Sequence, residues 1–89
     1  MCRSIKPLFN FEPPVTEDEI YAASLQFVRK ISGFNTPSKA NEAAFFAAVD
    51  AISVTSRHLL SSLETNTAPK NRAEEAAKAR TRAAQRYSR

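Results

Sequence analysis

The chain has 89 residues, of which 43% are hydrophobic and 25% charged, with one Gly, one Cys and no Trp. This length allows one domain with a small core, and a single Gly argues against a fold rich in tight β-turns. One Cys excludes an internal disulfide, and the absence of a signal-peptide pattern favours a cytoplasmic protein. No stretch approaches the roughly 20 apolar residues of a membrane span, so we expect no membrane contact.

The positive charge is concentrated at the C-terminus. The net charge is +4, and residues 70–89 contain seven basic and two acidic residues. The preceding residues contain six basic and seven acidic residues and are therefore nearly neutral. A segment this basic predicts either a solvated surface or contact with an anionic partner.

Residues 1–15 are predicted to form an extended arm, because Pro7, Pro13 and Pro14 interrupt any helix and favour extended backbone before them. The arm also contains four large apolar residues, Ile5, Leu8, Phe9 and Phe11. These are too apolar for a free tail, so we expect the arm to lie across the helices and complete the core. The alternative is a flexible leader.

The first helix is predicted over about residues 16–32. Thr16 and Glu19 have the spacing of a capping box, and acidic residues in the first turn suit the positive end of the helix dipole. Gly33 is placed to end the helix. The spacing of the apolar residues predicts one buried face: Ile20, Ala23, Phe27 and Ile31.

The second helix is predicted over about residues 37–63, with Pro37 in its first turn. One side carries large apolar residues, Phe45, Val49, Ile52, Leu59, Leu60 and Leu63. The opposite side carries small ones at heptad-like spacing, Ala40, Ala44, Ala47, Ala51, Val54 and His58. A helix that is apolar on two sides is usually buried on both, so we expect the alanines to meet another helix or a second subunit. Alternatively, they face water and reflect only the helix propensity of Ala.

The third helix is predicted over about residues 71–87, after a loop at residues 64–71. Asn71 and Glu74 repeat the spacing of a helix cap. The apolar side of this helix consists of Ala and Tyr87, which bury little area, so weak docking is expected. The predicted fold is all-α: three helices with an extended N-terminal arm, forming one domain over residues 1–89.

Three blocks of the sequence together resemble a known family. They are MCRSIKPLFNFEPPVTEDEI, AASLQFVRKISGFNTPS and the later pattern AAF…AV…HLL…L, and they extend over nearly the whole chain. This combination is similar to the short bacterial proteins grouped as the domain of unknown function 2277 family. The resemblance implies a small bacterial protein, and it implies no activity, cofactor or catalytic residue.

Cys2 and His58 are the residues with the most reactive side chains. If Met1 is removed, the Cys2 thiol lies beside an α-amine that can act as a base, and neighbouring cations favour the thiolate. A small thiol-dependent enzyme or redox protein is therefore one hypothesis, with a Cys2–His58 pair as a variant. With one Cys and one His, no conventional zinc site is expected, and no cofactor is predicted. Asp50 is expected to form a structural ion pair with Arg29 or Arg57.

The basic third helix is the segment whose composition is compatible with the largest number of functions. Its cations are Arg72, Lys78, Arg80, Arg82 and Arg86. Such side chains bind phosphates or an acidic protein surface. The leading hypothesis is a non-enzymatic accessory or interaction protein that binds a partner, or itself, through this helix or the alanines of helix two. A nucleic-acid or ribonucleoprotein binder is a third hypothesis.

Overall fold

The structure is a computed structural model that describes residues 5–87, with side chains described through Gln85. The elements in chain order are strand β1 (Phe11–Glu12), helix α1 (Glu17–Ser32), a 3-10 helix (Lys39–Asn41), helix α2 (Glu42–Ser62), strand β2 (Lys70–Asn71) and helix α3 (Arg72–Tyr87). The prediction of an all-α fold with three helices is confirmed.

Helix α1 begins and ends as its sequence predicts. The Oγ1 of Thr16 accepts a hydrogen bond from the backbone N–H of Glu19, and the Glu19 carboxylate accepts one from the N–H of Thr16. This is a complete capping box. At the other end, Gly33 has a φ of 77° and donates its N–H to the carbonyl of Arg29. A left-handed backbone conformation at this position favours Gly, because Gly has no Cβ that would clash.

Helix α2 begins later than predicted. Pro37 lies before the helix and is buried, and a 3-10 helix occupies the expected first turn. The Asn41 amide donates to the Ser38 hydroxyl, and the Asn41 N–H bonds the Ser38 carbonyl, which closes this tighter turn. The regular helix therefore starts at Glu42.

The core lies between α1 and α2, which pack together as a helical hairpin. Val28, Phe45 and Val49 form the buried cluster, and Val49 has no exposed surface. Ile20 is also buried, and next to it the buried Ser24 hydroxyl donates to the Ile20 carbonyl at 2.9 Å. Among the described residues, Ile20, Val28, Phe45 and Val49 are the only large aliphatic or aromatic side chains that are buried, so the core is very small for this chain length.

The small-residue side of α2 is exposed, so the prediction that this helix is buried on both sides within the chain is wrong. Ala40, Ala44, Ala47 and Ala51 all face solvent, as do Val54 and His58. No part of the described chain covers them as a second helix would. Here the abundance of Ala reflects helix propensity and does not indicate burial. Contact of these alanines with another subunit stays a prediction.

The N-terminal arm docks on the body, as predicted, over the part from residue 5 onward. Its apolar residues Ile5, Leu8, Phe9 and Phe11 are half-buried. Strand β1 pairs in parallel with β2, with Phe11 opposite Lys70, and Lys70 donates its N–H to the Asn10 carbonyl at 2.8 Å. Asn10 has a left-handed backbone, and its side-chain amide donates to the carbonyls of the loop before β2. The arm was expected to meet helices, and it also holds this loop.

The segment from Lys39 to Ser62 is long and apolar enough, by length and composition, to cross a membrane. An 18-residue window within it has a mean hydropathy of 1.2. Such a stretch was not expected from the sequence. Core helices of proteins without any membrane contact pass the same test, and Asp50 and Arg57 lie in this segment. It is therefore weak evidence for a membrane.

Candidate functional site

The first turn of α3 is attached to the start of α1. The Arg72 guanidinium pairs with the Glu19 carboxylate, and both side chains are about one-third exposed. Asn71 caps the helix, because its side-chain oxygen accepts the Glu74 N–H at 3.0 Å. The hydrogen bond from the Thr16 N–H lowers the pKa of the Glu19 carboxyl group below its ordinary value. Partial burial raises this pKa, and the positive charge of Arg72 lowers it further. Glu19 thus caps α1 and also holds α3.

Beyond this first turn, the described part of α3 lies beside the arm and makes no extensive contact with α1 or α2. Among the described helices and strands, its extensive contact is with β2, which directly precedes it in the chain. An open cleft of about 470 Å³ lies between α3 and the arm, lined by Ala76 and Ala79 on one side and by Leu8 and Phe11 on the other. Most of the alanines on α3 are exposed. The helix therefore buries little apolar area, as its composition predicts.

The cations of α3 differ in their surroundings. Arg72 is paired with Glu19, and Lys78 lies 3.6 Å from the carboxylate of Glu75 while remaining mostly exposed. Arg80 and Arg82 are exposed. The side chain of Arg86, also predicted to bind an anion, lies outside the described side chains. The structure thus leaves the middle of α3 as an accessible basic surface beside exposed alanines.

The predicted ion pair of Asp50 with an arginine is wrong. Asp50 is exposed, whereas Arg57 pairs with Glu17 at 3.0 Å across the end of the hairpin. Arg29 instead donates from its Nε to the carbonyl of Asn35 at 3.0 Å, which holds the loop after α1. Both arginines therefore stabilise the hairpin, and neither neutralises a buried acid.

His58 is the one member of the predicted Cys2–His58 pair that the structure describes. His58 is exposed on α2, and its backbone carbonyl accepts hydrogen bonds from the hydroxyls of Ser61 and Ser62. Cys2 lies outside the described residues. Between residues 5 and 87, no three side chains of His, Cys, Asp or Glu lie close enough to hold a metal ion.

A second surface, which we call the hairpin groove, lies between α1, α2 and the arm. It has a volume of about 350 Å³ and is lined mainly by apolar side chains: Ile5, Leu8, Ile20, Ala23, Phe27, Ile52, Leu59 and Leu60, with Lys6, Ser24 and Ser56. Phe27 and Leu59 are 43% and 56% exposed, although their spacing predicted core positions. Sequence patterns indicate which side chains share a face, but they do not show whether the chain has enough elements to cover it.

The comparisons with known proteins identify the family and nothing beyond it. A family described as an uncharacterized conserved protein (DUF2277) matches residues 1–78. The chain belongs to this family. Neither the curated proteins nor the solved structures include a match to it. The match covers the hairpin, the arm and the first half of α3, which includes the Glu19–Arg72 contact.

Proposed function

We propose that the protein is a non-enzymatic interaction protein that binds an acidic protein partner through α3. One observation carries this proposal: the middle of α3 keeps its cations and most of its alanines exposed. An isolated helix of this length is only marginally stable in water. A partner that covered the alanines and matched the cations would stabilise the helix.

The distribution of charge on α3 favours a protein over a nucleic acid. Lys78 and Arg82 are four residues apart and share one side of α3, whereas Arg80 points to a side that differs from that of Lys78 by about 160°. Glu75 lies 3.6 Å from Lys78 and reduces the positive charge on the shared side. Arg72 is already paired with Glu19. A phosphate backbone is bound best by several free cations on one face, whereas here an alanine surface lies beside a few cations. An acidic amphipathic helix or groove complements that combination.

The test is affinity purification of the full tagged chain from cells that make it, compared with two variants of equal charge loss. Arg80→Ala/Arg82→Ala removes two exposed cations of α3, and Lys30→Ala/Lys39→Ala removes two exposed cations elsewhere. We expect the first variant to lose its partners by about tenfold, a typical effect of removing interface charges. The control variant should retain them.

Two results contradict the proposal. If both variants recover the same partners as the wild-type chain, α3 is not the binding element. If nuclease treatment releases what is bound, and binding falls steeply with salt, the partner is a nucleic acid.

A further inference from the structure

The hairpin groove exposes apolar side chains of both α1 and α2. Phe27 of α1 and Ile52 and Leu59 of α2 are among the side chains that line it. The same uncharged surface continues over α2, where Ala51 and Thr55 line a neighbouring depression. Lys6, from the arm, is the one charged residue in the groove lining.

The amount of exposed surface indicates that the chain does not bury its apolar side chains by itself. The chain exposes 7072 Å², whereas a compact monomer of its mass exposes about 5,200 Å². Its radius of gyration is 15.8 Å, against about 12 Å for a compact domain of this length. The excess surface of about 1,900 Å² is more than twice what one subunit contributes to a standard interface, about 800 Å². Phe27 and Leu59 in the groove, which are 43% and 56% exposed, contribute to this surface.

We infer that the hairpin groove is the interface of a homodimer, in which two α1–α2 hairpins face each other as a four-helix bundle. Two helical hairpins with one open apolar side each are the parts from which such bundles form. In a two-fold contact each surface meets its own copy, so like charges would repel. The near absence of charge on this side fits a second copy better than a partner of opposite charge.

This inference is independent of the proposed function, because the groove and α3 are different surfaces. A dimer formed through the groove leaves the α3 of both chains exposed. It therefore presents two basic helices at once, which strengthens binding to a partner that has two acidic sites.

The experiment measures the mass of the full wild-type chain by light scattering during size-exclusion chromatography, over about a hundredfold range of concentration. We expect a dimer of about twice 9.9 kDa. The paired variants are Phe27→Glu, in the groove, and Phe46→Glu, outside it; the two phenylalanines are 43% and 40% exposed. A buried charge at the interface should convert the first to monomer, while the second stays a dimer.

A monomeric wild-type chain overturns the inference, and so does a dimer that Phe27→Glu leaves intact. If Phe27→Glu does not fold, as judged by circular dichroism, Phe27→Ala replaces it and should weaken dimerisation at least about tenfold. A wild-type chain that is monomeric and sediments with phosphatidylcholine vesicles assigns the groove to a membrane surface instead. None of these results changes which partners Arg80→Ala/Arg82→Ala recovers in the affinity purification. The proposed function is therefore tested separately from the dimer.

Discussion

Helices α1 and α3 begin alike and end in different environments. Both have 16 residues, and in both a polar side chain at the N-cap accepts the backbone N–H of the residue three positions later. Yet α1 packs along α2, whereas α3 is attached mainly by its first turn. The difference follows from side-chain size: α1 contributes Ile20 and Val28 to the core, and the apolar side of α3 is mostly alanine. Capping therefore starts a helix, but docking requires large apolar side chains.

The largest expected difference between the two regions comes from proline in the middle of each helix. Ala51→Pro in α2 should destabilise the hairpin by about 3 kcal/mol or more, because proline removes a backbone hydrogen bond and clashes with the preceding turn. Ala79→Pro in α3 should reduce helix content but change the unfolding free energy of the hairpin by less than about 0.5 kcal/mol. Urea unfolding followed by circular dichroism measures both. Equal losses would show that α3 is part of the cooperative unit.

The two N-caps give a smaller and more local comparison. Thr16→Ala should lower the unfolding free energy by about 1 kcal/mol, because α1 is part of the core and loses its capping box. Asn71→Ala should leave that free energy nearly unchanged and reduce only the helix signal of α3. Thermal unfolding with a near-ultraviolet signal separates the two effects. A loss in Asn71→Ala equal to that in Thr16→Ala would contradict the account.

Acid should release α3 and weaken the start of α1 together. The pKa of Glu19 is lowered by the Thr16 N–H, with a further contribution from Arg72. A carboxyl group with a lowered folded-state pKa stabilises the fold above its ordinary value of 4.5, and this contribution is lost as pH falls through the lower folded-state pKa. The wild-type chain should therefore lose more stability than Glu19→Gln between about pH 5 and pH 2. If the wild-type chain and Glu19→Gln lose the same unfolding free energy as the pH falls, Glu19 does not have this role.

The smallest expected effect concerns the exposed pair of Glu17 and Arg57 at the end of the hairpin. Both side chains are largely in solvent, and exposed ion pairs contribute little because water and salt screen them. Arg57→Ala should change the unfolding free energy by less than about 0.5 kcal/mol. A much larger loss in urea unfolding would show that this pair, and not the small core, holds the hairpin together.

The parts of the fold that depend on local chemistry were predictable from the sequence. The capping box at Thr16, the left-handed Gly33 and the cap at Asn71 all formed as their spacing indicates. Strands β1 and β2 were missed because two residues per strand carry no periodicity. The start of α2 was misplaced because Pro37 suits both a first helical turn and the loop before it.

The parts that depend on tertiary coverage were not predictable. The alanines of α2 share one face of the helix in both the prediction and the structure, but whether anything covers them depends on the other elements. The same holds for Phe27 and Leu59, whose spacing indicates a shared apolar face and not its burial. The hairpin groove therefore became visible only in the structure. The basic residues of α3 and the weak docking of this helix were both predicted from its composition.

We infer that a second copy stabilises the hairpin and does not stabilise α3. Amide hydrogen exchange of the full chain at increasing protein concentration tests both halves in one experiment. We expect the protection of α1 and α2 to rise with concentration and α3 to exchange rapidly at every concentration. Protection of α1 and α2 that is independent of concentration, or α3 protected as strongly as α2, would contradict this inference.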